Sequence, residues 1–319
     1  MPPLVFPYIG RNKMTFVTGS KQMVHRMRLG VDLGGTKIEI VALADDRTEL
    51  LRRRVPAPRG DYLATVTAVA RLVREAESEL GRSGSVGIGI PGAESRATGL
   101  IKNANSTWLI GRPLRRDLQD ALRREVRLAN DANCFALSEA TDGAAAGADV
   151  VFGAILGTGV GGGIVVHGKV LAGANAIAGE WGHNRLPGDE PYWPACYCGR
   201  KGCVETFLSG PGLKRDHQRE TGVVAEPEQI AVGAAAGDAA CEAALDRYEK
   251  RLARSLAAVI NILDPDVIVL GGGLSNLDRL YASVPKLWSA HVFSDRVATK
   301  LFKSQHGDAS GVRGAAWLW

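Results

Sequence analysis

Two glycine-rich turns, each carrying a threonine and each set between two apolar runs, constrain this chain more than any other feature. Leu29–Asp32 and Ile38–Leu43 flank the turn Leu33-Gly34-Gly35-Thr36-Lys37. About half a chain later, the apolar stretch Val151–Val166 is interrupted by Gly157-Thr158-Gly159-Val160-Gly161-Gly162-Gly163. Short apolar runs bounded by such turns read as strands. Two copies of one strand-turn-strand unit predict two related α/β domains facing a shared cleft. A third glycine site, Gly271-Gly272-Gly273, follows the β-branched strand Asp266–Leu270.

A bound phosphate needs several backbone N–H groups close by, and glycine admits that approach because it has no Cβ. Both turns qualify, and each adds a threonine hydroxyl. Two rival motifs fail on context. A P-loop requires Gly-Lys-Ser/Thr, whereas Gly35 is followed by Thr36-Lys37 and then by a strand. Gly157-x-Gly159-x-x-Gly162 fits the dinucleotide fingerprint, but Ile164-Val165-Val166 continues as a strand where that fingerprint needs a helix. A tight hairpin without any ligand remains open for either turn taken alone.

At 319 residues the chain exceeds one domain of roughly 100–200 residues, so two are expected. Leu63, Val66, Val69, Val73, Ala76 and Leu80 recur at three- and four-residue steps and predict an amphipathic helix. Val86–Ile90 and Val126–Ala129 read as short strands, Leu114–Arg124 as a charged surface helix, and 132–146 as an alanine-rich helix. A long helix over Ala240–Leu263 ends at Asp264-Pro265, since proline disfavours helix at the preceding residue.

Lys and Arg number 39 against 34 Asp and Glu, a net charge of +5. Four of the cations, Arg11, Lys13, Lys21 and Arg26, lie in the acid-free first 26 residues. The remaining body carries +1 and offers no basic footprint for nucleic acid. No run approaches the roughly 20 apolar residues of a membrane span, and Pro7, Gly10 and Arg11 break up a secretory core. Residues 1–26 lack periodicity and are expected to be a disordered or upstream-start extension. Five unevenly spaced cysteines suggest no disulfide framework, and cytoplasmic residence is expected.

His183 and Cys196-x-Cys198-x₄-Cys203 place one imidazole and three thiols within 21 positions. Three cysteines and a histidine form a recognised closed zinc set, and soft thiolates select Zn²⁺ over Mg²⁺. Reduced, buried cysteines are the bland reading. The surrounding loop favours it little, because Pro187, Pro191, Pro194 and glycines leave few apolar residues to pack. Zinc would order a loop that cannot build its own core. Cys134 and Cys241 fall on expected helices and read as small core residues.

Asp131 sits between a strand and a helix, where an acidic residue often serves only as an N-cap. Glu180 and Glu205 flank the cysteine cluster, where surface salt bridges are the ordinary reading. Association raises all three. Phosphoryl transfer to an alcohol needs an aligned hydroxyl, a base for its proton and donors or cations on the phosphates.

At these residues the chain from Arg28 to Trp319 resembles the ROK family of repressors and sugar kinases. The matching segments are Gly30-Val-Asp-Leu-Gly-Gly-Thr-Lys37, Leu128-Ala-Asn-Asp-Ala-Asn133, Leu156-Gly-Thr-Gly-Val-Gly161, Gly179-Glu-Trp-Gly-His183, Cys196–Glu205 and Val267–Gly273. The resemblance implies an actin-like ATPase fold with two ribonuclease-H-like halves and a zinc-stapled loop. It implies a small domain over 27–128, completed by 305–319, and a larger one over 129–304 containing the loop 183–203.

The resemblance also implies roles. Asp131 matches the catalytic base. Asn130, Glu180, His183 and Glu205 match sugar-binding positions, with His183 also a ligand to Zn²⁺. Gly34, Gly35, Thr36 and Lys37 match one phosphate-binding turn, and Gly157, Thr158, Gly159 and Gly161 the other. Gly272 and its neighbours match the adenosine side of ATP, and Asp32 matches an acid near Mg²⁺. A homodimer is expected from the same resemblance.

Lys102–Leu109, Asn261–Asp266 and His306–Trp319 are similar to the proteobacterial fructokinases of this family, which makes fructose the expected hexose. A glucokinase or N-acetylhexosamine kinase is the alternative within the class. A sugar-responsive repressor would need an N-terminal helix-turn-helix module, for which 26 non-periodic residues are too few.

Overall fold

The computed structural model describes residues 27–319, and the expected extension over 1–26 lies outside them. The first glycine turn joins β1 (Arg28–Leu33) to β2 (Lys37–Leu43), and β3 (Glu49–Pro56) pairs antiparallel with β2. The apolar stripe from Leu63 lies on α1 (Tyr62–Leu80). Asp61 caps its start by accepting from Ala64 N–H, and Gly81 ends it at a φ of 64°. Then come β4 (Ser85–Ile90), the short β5 (Ala93–Glu94) and β6 (Ile101–Lys102), α2 (Leu114–Leu122) and β7 (Val126–Asn130). β1, β4 and β7 are parallel, giving the sheet order β3-β2-β1-β4-β7.

Helix α3 (Asp131–Thr141) leads into the second half. There β8 (Val150–Leu156), β9 (Val160–Val166) and β10 (Lys169–Val170) repeat the antiparallel unit around the second glycine turn. After α4 (Glu205–Leu208), α5 (Gly210–Thr221), α6 (Pro227–Ala235) and α7 (Ala239–Leu263) comes β11 (Val267–Gly271). Then follow α8 (Arg279–Trp288), β12 (Lys300–Lys303) and α9 (Ser310–Ala316). The second sheet runs β10-β9-β8-β11-β12, with β8, β11 and β12 parallel. The two sheets share one connectivity, so the echo expected from two turns extends to whole five-stranded sheets.

Helix α9 returns across the chain to pack on β1, β4 and α3. Glycine permits the contact: a Cβ on Gly87 would lie 1.9 Å from Ala315 O, and one on Gly314 would lie 1.7 Å from Cys134 O. Cys134 and Cys241 are buried as expected.

One sequence expectation needs correction, and β3 is a strand that the sequence reading does not include. The helix expected over 132–146 ends at Thr141, because the fully buried Glu139 carboxylate takes the Ala144 N–H at 2.9 Å. The chain before Pro56 is a strand despite its run Arg52-Arg53-Arg54. Glu39 on β2, 2% exposed, accepts from Arg52 at 2.5 Å and from Arg54 at 2.8 Å, so pairing across strands accommodates the charges. Among the described residues, no helix is long and apolar enough to cross a membrane.

Candidate active site

The parallel strands of the first sheet bring two carboxylates to one edge. Asp32 pairs with Gly89 and Gly89 with Ala129, so the ends of β1 and β7 lie level on either side of β4. In open α/β sheets, ligands bind beyond such carboxyl ends. The N-cap of α3 is Asn130: its side chain accepts from Ala132 N–H at 2.9 Å and donates to Gly92 O at 3.0 Å. Asp131 therefore occupies the first helical position rather than the cap itself, and its Oδ1 also accepts from Ala132 N–H, at 2.8 Å.

Asp131 is exposed to solvent, though protein crowds its carboxylate. Restricted hydration raises its pKa above the ordinary carboxylate range, and the charge of Glu180 adds to the rise. Asp32 is pushed up to about 6, chiefly by burial and then by the charges of Asp131 and Glu39. Burial also raises Glu180; His183 opposes the rise and Glu205 adds to it. Asp32, Asp131, Glu180 and Glu205 thus form a chain in which each carboxylate feels the next.

The second half supplies Glu180, His183 and Glu205. Gly179 has a φ of 93°, and a Cβ there would lie 2.5 Å from Gly162 O, so the segment carrying Glu180 lies directly on the backbone of β9. Trp181 Nε1 donates to Gly161 O at 2.8 Å and holds the same contact. Glu205 opens α4, and its Oε2 accepts from Val160 N–H at 3.0 Å. Between the halves, Lys102 Nζ donates to Asn175 O at 2.7 Å.

The cysteine cluster assembles. Ligand atoms of His183, Cys196, Cys198 and Cys203 all lie within 4.8 Å of one another. Cys198 Sγ and Cys203 Sγ are 3.6 Å apart, and Cys196 Sγ lies 3.6 Å from His183 Nδ1. These separations suit the edges of a tetrahedron with a metal–sulfur distance of about 2.3 Å. Gly199 and Gly202, at φ of 85° and 71°, turn the chain back so that the three thiols converge.

Each glycine turn is closed by a backbone hydrogen bond of 3.0 Å, from Gly34 N–H to Lys37 O three residues on and from Gly157 N–H to Gly159 O two residues on. Arg59 Nε reaches the first turn at Gly35 O, 3.0 Å away. Gly161 lies against the start of α3, where a Cβ would sit 3.4 Å from Ala132 Cβ. Gly272, at a φ of 80°, approaches the second turn so closely that a Cβ would lie 2.5 Å from Leu156 O. A cleft of about 750 Å³ opens there, lined by Gly157, Thr158, Gly210, Lys214, Arg215 and Gly273.

Sequence reasoning missed Gly210, Lys214 and Arg215. A signal existed: Ser209-Gly210-Pro211 is a helix-start pattern, and Ser209 does cap α5 through Gly212 N–H. It also missed Lys102 as a bridge between the halves, because a lone lysine carries no local signature.

The comparisons agree with this geometry. The model of the ROK family matches residues 28–319. An N-acetyl-D-glucosamine kinase of Photobacterium profundum is 42% identical over 299 residues, covering 92% of this chain and 99% of the relative. One from Yersinia pseudotuberculosis is 41% identical over 300 residues, covering 92% and 98%. Among solved structures, the ROK hexokinase of Thermus thermophilus superimposes with a TM-score of 0.82 at 32% identity, covering 92% of this chain and 97% of that one. A ROK family glucokinase from Streptomyces griseus, in complex with glucose and AMPPNP, gives 0.73 at 27% identity, covering 91% and 98%. The fold, the duplicated glycine turns and the match along all described residues but Met27 converge, and the chain belongs to the ROK family.

Proposed function

We propose that this chain transfers the γ-phosphoryl group of ATP to a hydroxyl of a hexose. The observation that carries this reading is the placement of Asp131 where the end of β7 meets the second glycine turn, beside Glu180. In this reading Asp131 accepts the hydroxyl proton as the new oxygen–phosphorus bond forms and the bond to the departing ADP oxygen breaks. Its raised pKa suits a base that must take up a proton. Asn130, Glu180, His183 and Glu205 orient the sugar. Gly34, Gly35, Thr36 and Lys37 face Gly157, Thr158, Gly159 and Gly161 across the phosphates, and Gly272 borders the adenosine.

Mg²⁺ fits beside Asp32, where a divalent cation would relieve the carboxylate repulsion and offset phosphate charge. Zn²⁺ fits the Cys₃His set and would hold the 183–203 loop in place. The division into 27–128 with 305–319, and 129–304, is supported by α9 lying on the first sheet. Cytoplasmic residence and a homodimer belong to the same proposal.

N-acetyl-D-glucosamine is the leading substrate, because relatives over 40% identical along nearly their full length carry that name. Fructose is the second reading, supported by the three fructokinase-like segments Lys102–Leu109, Asn261–Asp266 and His306–Trp319. A coupled ADP-release assay against a hexose panel decides the matter. The highest kcat/KM is expected for N-acetyl-D-glucosamine; a lead for fructose transfers the assignment, and no ADP release with any hexose overturns the kinase reading.

A further inference from the structure

Helix α5 walls the cleft beside the second glycine turn. Its first residue is bonded to that turn, with Gly210 N–H donating to Gly157 O at 2.8 Å. From there one face of the helix, carrying Gly210, Lys214, Arg215 and Gln218, lines the same cleft as Thr158. Lys214 stands four residues beyond the anchored Gly210, a rise of about 6 Å along the helix. Helical side chains leave the backbone tilted toward the N-terminus, so the lysine stem leans back toward Gly210 and the turn.

The two cations on this wall have different commitments. Arg215 Nη2 donates to Thr206 O at 2.7 Å and holds α5 to the end of the metal loop. Lys214 Nζ instead pairs with the carboxylate of Glu226, the residue before α6, and these side chains are 34% and 57% exposed. A pair that open to solvent adds little to stability. Glu226 and Glu228 line the cleft as well, so without Lys214 this wall would turn uncompensated carboxylates toward any phosphate. A nucleotide's phosphate chain carries several negative charges against the single one of Glu226. Charge-assisted hydrogen bonding therefore draws the ammonium from carboxylate to phosphate once a nucleotide is seated.

We propose that Lys214 is a further nucleotide-binding residue: its ammonium is held by Glu226 in the free chain and donates to a phosphate oxygen of ATP on the second glycine turn when the nucleotide binds. This rests on the kinase reading above. The competing role is a tether, in which Lys214 and Glu226 merely fasten α5 to α6. The two roles predict opposite effects at Glu226. A tether is damaged equally by losing either partner, whereas a competitor for the ammonium hinders nucleotide binding and its removal does not.

The test is calorimetric titration of the zinc-loaded full chain with Mg²⁺-ATP and, separately, with adenosine, in the absence of sugar. Lys214→Gln is expected to weaken Mg²⁺-ATP binding about tenfold, the worth of one hydrogen bond to a charged group. Adenosine affinity, sugar affinity and melting temperature stay within twofold or a degree or so of wild type. Lys214→Arg, which keeps the charge, restores most of the loss. Glu226→Gln leaves Mg²⁺-ATP affinity unchanged or raises it. Mg²⁺-ATP affinity within twofold of wild type in Lys214→Gln overturns the inference. So does an equal loss in Glu226→Gln, which marks a tether, or an equal loss for adenosine, which marks a distorted cleft. A wild-type chain that binds no Mg²⁺-ATP overturns the kinase reading itself, and this inference with it.

Discussion

Glu205 Oε2 accepts a hydrogen bond from Val160 N–H at 3.0 Å, which ties the residue two places beyond the last cysteine to the second glycine turn. The metal loop and a phosphate-type turn are thereby one mechanical unit. Gly159 leaves room for the link, since a Cβ there would lie 2.7 Å from the same carboxylate oxygen. Gly159→Ala is expected to push Glu205 aside. Because the obstacle is the mobile end of a side chain, stability should fall by no more than about 1 kcal/mol. The KM for sugar should rise severalfold, and steady-state kinetics beside a thermal melt checks the split.

Zinc loading makes a second test. Elemental analysis of the purified chain should give about one Zn²⁺ per molecule, as one four-ligand site requires. Cys198→Ser should lower both zinc content and melting temperature, because the loop has little apolar material to order it. Full zinc-free activity and stability would remove the structural role.

Asp131→Asn should reduce kcat by about 10²–10⁴, the usual worth of a positioned general base. Sugar and ATP affinity should change little, and so should stability, because Asn130 and not Asp131 supplies the N-cap. On the acid side, wild-type turnover should rise with pH as the raised Asp131 carboxyl loses its proton. An asparagine variant within a few-fold of wild type would defeat the base assignment.

Asp32 predicts a stability difference that depends on pH. Its pKa moves from 3.8 unfolded to about 6 folded. Between those values the folded chain holds more protons, so stability declines as pH rises through the window and stays lower above it. Asp32→Asn should therefore stabilise the metal-free chain at pH 7.5 by up to about 2–3 kcal/mol, and confer no such gain near pH 3.5. Chemical denaturation at the two pH values measures it. The same variant should bind Mg²⁺-ATP more weakly, so a gain in stability and a loss of function should appear together.

Much of this architecture was legible in one dimension. Glycine turns between apolar runs are local features, because backbone approach and a short continuous apolar run depend on neighbours in sequence. The same holds for the α1 stripe and for a ligand set gathered within 21 positions, so β1–β2, β8–β9, α1 and the Cys₃His cluster could all be read directly. Tertiary structure alone decided the rest. The Arg52–Arg54 run gives no strand signal of its own until Glu39 is placed across from it, and α3 stops early because Glu139 captures the Ala144 N–H from inside the core. The level ends of β1 and β7 and the link from Glu205 to Val160 join residues that are distant in sequence. No local propensity encodes them: they arise from how strands pair and loops fold back, and they set the electrostatics on which the proposed chemistry depends.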